Sequence, residues 1–133
     1  MQNQSLGPPK RGELCRCQFP YSEDPTVSKA RPVCVVSSAD FNSGSPDVLV
    51  AKITSSQRRL SKPGTGDVPL IDWVAAGLPL KSVFRAGSIF TVTITRLSGP
   101  FGFLSPTDLE ACEDALRLVL ELPSLGQEGA KER

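Results

Sequence analysis

The chain has 133 residues and a mass of 14.2 kDa, the size of one compact domain. Its 39% hydrophobic and 22% charged residues exclude a wholly disordered chain. It contains no histidine, which excludes Ser–His and Cys–His nucleophile pairs and the commonest zinc ligands. The net charge of +1 says little about partners, but its distribution says more. Residues 1–100 carry 12 Lys and Arg against 7 Asp and Glu, and residues 101–133 carry 3 against 7. A mildly basic body, able to attract phosphates, is followed by an acidic C-terminal segment. No apolar run approaches the roughly 20 residues of a membrane helix, so no membrane partner is expected. Met1 to Arg11 lacks the apolar core of a secretory signal, and a cytoplasmic location is expected.

In chain order, residues 1–11 are polar and read as a flexible N-terminal arm. From Gly12 to Phe19, Cys15, Cys17 and Phe19 alternate with Leu14, Arg16 and Gln18, the period of a strand with one apolar face. Pro20 stops it, and Tyr21 to Ala30 reads as a loop. Arg31 to Ser37 is a nearly continuous β-branched run, expected as a central strand with Pro32 at its entry. Phe41 to Pro46 is turn chemistry. Asp47 to Thr54 is a third strand, and Ser55 to Asp67 a polar loop with three positive charges before its one acid. Val68 to Ile71 predicts a short strand and Trp73 to Leu78 a turn. Ser82 to Arg85 and Ser88 to Leu97 predict two strands, the second rich in β-formers. Ser98 to Gly102 reads as a turn. Ser105, Pro106 and Asp108 form a helix start: cap, first-turn proline and an acid near the positive end of the dipole. Leu109, Cys112, Leu116, Val119 and Leu120 then share one face of a helix ending at Leu122 before Pro123. Residues 123–133 read as a flexible tail. The sum is a mainly β domain over residues 12–122, closed by one amphipathic helix.

The four cysteines, Cys15, Cys17, Cys34 and Cys112, lack zinc spacing and read as small buried side chains, with a cross-strand disulfide left open. If the second and third strands pair antiparallel, Arg31 and Thr54 meet at one edge of the sheet. An arginine fork beside the hydroxyls of Thr54, Ser55 and Ser56 makes a phosphate site that can stabilise charge on a pentacoordinate phosphorane. The bland alternative is a solvated arginine with ordinary turn serines. Lys29, Arg58, Arg59 and Lys62 can hold an RNA backbone, the alternative for the last three being a solvated loop. Arg85 is a second phosphate ligand or a surface pair for Asp67 or Asp72. Tyr21 and Phe19 are placed to stack a base, whereas Trp73 is expected to pack over the barrel.

Several segments then fall in a familiar order. They are Gly12-Glu13-Leu14, Phe19-Pro20-Tyr21, Arg31-Pro32-Val33 leading to Val36-Ser37-Ser38, Asp47 through Ser55, and Val83-Phe84-Arg85 before Ile89-Phe90-Thr91. Together with Asp72-Trp73, Ala76-Gly77-Leu78 and Leu104-Ser105-Pro106, they resemble the PemK/MazF family of type II toxins over about residues 12–122. The resemblance implies an SH3-like small β-barrel with a C-terminal helix, and a homodimer. It implies a metal-independent, cofactor-free endoribonuclease that cuts single-stranded RNA at short sequences. It implies a cognate antitoxin whose disordered C-terminal segment blocks the RNA groove. By the same resemblance Arg31 and Thr54 match the catalytic positions. The implied reaction is attack of the RNA 2′-OH on the adjacent phosphate, leaving a 2′,3′-cyclic phosphate and a 5′-OH.

Two departures stand out. One branch of the family carries an aspartate, a proposed base, at the position that is Gly87 here, so the base is absent or another acid such as Glu23 or Asp24 moves in. Cys15 replaces a bulky aromatic, which thins packing at the barrel or dimer face. The alternatives to a nuclease are a non-enzymatic toxin or binding module on the same barrel, acting like a gyrase poison, and an inactive homologue that sequesters an antitoxin.

Overall fold

A computed structural model describes residues 7–20 and 28–124. The elements are β1 (Glu13–Pro20), β2 (Ser28–Val35), α1 (Ala39–Ser43), β3 (Asp47–Thr54), α2 (Gln57–Ser61), β4 (Asp67–Pro69), β5 (Val83–Thr93), β6 (Leu97–Phe103) and α3 (Pro106–Leu120). The six strands form one antiparallel sheet in the order β4-β5-β3-β2-β1-β6. This is a mainly β, SH3-like barrel with a C-terminal helix, open between its edge strands β4 and β6.

Strand alternation sends side chains to two cores. Leu14, Cys34, Ala51, Ile53 and Phe84 pack with Cys112 and Ala115 of α3 on one side. Cys15, Cys17, Val33, Val35, Val48, Val50 and Val92 pack together on the other. Full burial of side chains such as Phe84 and Leu14 contributes about 1.5–3 kcal/mol apiece. Because Leu14 is buried too, β1 has apolar contacts on both faces, not the single face expected. Trp73 packs against the α3-side core, as expected.

Four other expectations change. β2 begins at Ser28, so Lys29 and Ala30 are strand, held by pairing with Phe19 and Gln18 rather than by their own propensity. The two strands expected around Gly87 are one, β5, bent there: Ile53 pairs with Phe84 but Ala51 with Ile89, so extra β5 residues loop past β3. Ile94–Arg96 is a 3₁₀ turn. The turn expected at Ser98 to Gly102 lies in β6, where Arg16 pairs with Ser98 but Leu14 with Gly102. Its glycines and proline form an irregularity in an edge strand, where a missing N–H costs no ladder bond.

The polar loop 55–67 contains the short helix α2, with Ser56 Oγ accepting from Arg59 N. α3 starts as predicted, with Ser105 Oγ accepting from Asp108 N, and ends at Glu121, whose left-handed conformation directs its N–H to the Arg117 and Leu118 carbonyls. Its inward face is Asp108, Cys112 and Ala115, flanked by Leu109 and Leu116. Val119 and Leu120, expected inward, are exposed. Asp108 does more than complement the helix dipole. It is 1% exposed, and its two carboxylate oxygens accept from Ile71 N at 3.0 Å and Asp72 N at 2.8 Å. Of the expected arm, residues 9–11 are tied to the body: Asn42 Nδ2 donates to the Pro9 carbonyl and Arg11 pairs with Glu113. The remaining arm residues 1–6 and the tail from residue 125 lie outside the described residues.

Candidate active site

β2 and β3 pair with Val33 opposite Lys52 and Cys34 opposite Ala51. Continuing that antiparallel register toward the start of β2 and the end of β3 sets Arg31 against Thr54. Both residues line one cleft of about 160 Å³. Ser55 and Ser82 add hydroxyls, and Pro32, Ile53, Leu78, Pro79 and Leu80 supply apolar walls. The cleft is a junction of strand ends with the segment between β4 and β5. Asp108 holds the start of that segment through Ile71 N and Asp72 N, and within it Ala76 N donates to the Asp72 carbonyl and Leu78 N to the Trp73 carbonyl.

The local chain geometry orients the hydroxyls. Thr54 Oγ1 accepts from Ser56 N at 3.2 Å, so its lone pair is engaged and its own proton remains available to an incoming oxygen. Ser56 is occupied as the α2 cap, and Ser82 Oγ donates to the Leu80 carbonyl at 2.7 Å. Arg31 is exposed, which keeps its donors accessible to a ligand.

The other sequence candidates fall elsewhere. Arg59 and Arg85 converge on the nearly buried carboxylate of Asp67, from 3.0 Å (Arg59 Nη1) and 3.9 Å (Arg85 Nε). Asp67 also accepts from Gly64 N at 2.8 Å. This is the Asp67 pairing weighed for Arg85 from sequence, and register explains it, because Asp67 and Arg85 are opposed in β4 and β5. Arg58 is on exposed α2 and, with Ser56, outside the cleft lining. Lys29 sits opposite Phe19. Tyr21, Glu23 and Asp24 lie outside the described residues. Among the described residues lining the cleft there is no carboxylate, and among the described residues no three His, Cys, Asp or Glu side chains converge as a metal site.

Sequence reasoning missed Arg16. It lines the same cleft from β1, opposite Pro32, with its guanidinium carbon 4.5 Å from the centre of the Phe101 ring. Its signal was present in the alternation that put it on the Leu14 side of the strand. Another cation, Lys52 Nζ, stands over the Phe19 and Phe90 rings at 5.3 and 5.1 Å.

All four cysteines are free and buried. Burial pushes the Cys15 and Cys34 thiols up to about 12. It raises Cys17 and Cys112 as well, with Cys34, Asp108 and Glu113 adding to the rise at Cys112. These thiols are structural, not nucleophilic.

A family model described as PemK-like, MazF-like toxin of type II toxin–antitoxin system matches residues 10–120. The chain belongs to this family. Within it, the chain is similar to the endoribonuclease MazF4 of Mycobacterium tuberculosis, 27% identical over 120 residues spanning 89% of this chain and 98% of the relative. The endoribonuclease MazF1 of Mycobacterium bovis matches with the same identity and coverage. Among solved structures, a mycobacterial endoribonuclease in complex with its cognate antitoxin superposes with a TM-score of 0.68 at 24% identity, covering 90% of this chain and 99% of that one. A MazE–MazF complex from Deinococcus radiodurans gives 0.68 at 18% identity, over 86% of this chain and 98% of that one. These likenesses show that the fold is that of MazF toxins.

Proposed function

We propose that this toxin is an endoribonuclease that cuts single-stranded RNA without a metal ion, using Arg31 and Thr54. The observation that carries the reading is their convergence in one cleft at facing strand ends. The endoribonuclease names of its relatives support the same activity. The RNA 2′-oxygen forms a bond to the adjacent phosphorus, the bond to the 5′-oxygen breaks, and the 2′ proton is lost as the 5′-oxygen gains one. The products are a 2′,3′-cyclic phosphate and a 5′-OH. Negative charge grows on the non-bridging oxygens at the pentacoordinate stage. Arg31 neutralises it, and the Thr54 hydroxyl donates to it while Ser56 N holds its oxygen in place. A guanidinium, which is a donor and never an acceptor, suits charge stabilisation better than proton shuttling. Ser55 extends the phosphate contact, with Lys29, Ser56, Arg58, Arg59, Arg85 and Tyr21 as contacts along the RNA outside the cleft.

The protein partner is a cognate antitoxin, as in the complexes of its structural neighbours. Its disordered C-terminal segment covers the RNA groove of a homodimer. A second reading, a non-enzymatic toxin on the same barrel, draws on Gly87 and on the absence of a carboxylate among the described residues that line the cleft. Growth arrest on expression separates the readings. The nuclease reading predicts arrest with loss of cellular RNA, abolished by Arg31→Ala while circular dichroism stays unchanged. Arrest that persists in Arg31→Ala with intact RNA would favour the second.

A further inference from the structure

We propose that Arg16 is a specificity-determining residue that reads the base beside the cut, selecting one whose edge presents two adjacent acceptors. This inference rests on the endoribonuclease reading of the same cleft. The Arg16 guanidinium carbon lies over the Phe101 ring, 4.5 Å from its centre, a cation–π contact that helps hold the side chain in place. No carboxylate pairs with it among the described residues; the four ion pairs found there use Arg11, Arg59, Arg85 and Arg117. Among the described residues its N–H donors thus have no carboxylate partner, and the side chain lines the cleft.

The cleft is more than a phosphate seat. Leu78, Pro79 and Leu80 wall it with apolar surface, which a phosphate does not need and the flat face of a base does. Its volume of about 160 Å³ is below the roughly 300 Å³ of ordinary small-molecule pockets, so it suits a single base. With Arg31 and Thr54 at the phosphate, Arg16 is the donor left for that base among the described residues of the cleft. A rigid guanidinium fork matches two acceptors side by side. Guanine offers O6 and N7, and an unpaired cytosine offers O2 and N3. Adenine and uracil interrupt their acceptors with donors on the pairing edge. Single-stranded RNA leaves both kinds of edge open to such reading.

The test is cleavage of a pool of RNAs randomised on both sides of the cut, with Arg16→Ala and Arg16→Lys run beside wild type. Wild type is expected to require guanine or cytosine at one flanking position, and single-sequence RNAs then tell which. Arg16→Ala should lower kcat/KM on the preferred base by about 5- to 140-fold, the equivalent of about 1–3 kcal/mol for a bidentate contact. It should leave the other bases nearly unchanged. Arg16→Lys keeps the charge and stem, and so the fold, but lacks the fork; it should lose the preference too. An equal drop on all four bases, with a shallower salt dependence, identifies a phosphate contact and overturns the proposal. So does a preference unchanged in both variants, or one for adenine or uracil. Binding of uncleavable 2′-O-methyl RNAs separates the two readings. Base-selective binding that depends on Arg16 without any cutting sinks the nuclease reading alone, and cutting with unaltered selectivity sinks the base-reading proposal alone.

Discussion

Asp108 links the end helix to the wall of the cleft, and its removal has a calculable cost. Asp108→Ala deletes two hydrogen bonds from the backbone N–H groups of Ile71 and Asp72 to a buried carboxylate. Bonds to a charged acceptor contribute about 1.5–3 kcal/mol each, and the acid at the start of α3 adds about 0.3–1 kcal/mol through the helix dipole. The gross loss is reduced because Ile71 and its neighbours are partly solvated, so water can replace one partner. A net loss of about 3 kcal/mol is expected, or roughly 10 °C in melting temperature for a domain this size. Asp108→Asn keeps one acceptor but turns a donor toward a backbone N–H, and should recover less than half. Urea unfolding gives the numbers. Since the 71–80 segment carries Leu78, Pro79 and Leu80, RNA affinity should fall in the same variants below their melting temperature. A loss under about 0.5 kcal/mol for Asp108→Ala would refute the idea that this carboxylate anchors the segment.

Further outcomes follow from particular side chains. Gly102→Ala should destabilise by about 3 kcal/mol in urea unfolding, because a Cβ there collides with the Ala76 backbone carbonyl, which cannot swing aside. Arg59→Ala should cost under about 1 kcal/mol, since the pair is half-exposed on the arginine side. Asp67→Ala should cost more, because it also abandons Gly64 N and leaves Arg85 without its counter-charge; paired melts of the two variants give the order. The buried thiols should resist a maleimide at pH 8 in the native state, and all four should react in denaturant. Cys15 and Cys34 have pKa values raised from 9.0 to about 12. They favour the folded state below pH 9, and that contribution is lost as pH rises toward 12. A Cys34→Ala variant should therefore show a shallower loss of stability between pH 9 and 12.

The parts of the fold that could be read from residues were those with a local cause. Ser105, Pro106 and Asp108 mark the start of α3 because a helix end needs those groups whatever lies around it. The β-branched runs of β2, β3 and β5 were visible for the same reason. The strand at Lys29 and Ala30 was hidden, because its stability comes from partners in β1. β6 was hidden because glycine and proline signal a turn locally, and only pairing with β1 makes that segment an edge strand. At the site, Arg31 and Thr54 followed from one assumption about antiparallel pairing. The capture of Arg59 and Arg85 by Asp67 depended on the short strand β4 lying beside β5. Arg16 was passed over because its importance depends on Phe101, far along the chain.

The most direct measurement is incubation of the purified protein with mixed-sequence single-stranded RNA in EDTA, mapping the fragment ends, with Arg31→Ala and Thr54→Ala alongside. Discrete cuts bearing 5′-OH and 2′,3′-cyclic phosphate ends, lost in both folded variants, are the expected result. Cutting that requires added metal, or that survives in both variants, would contradict the assignment of the chemistry to this cleft.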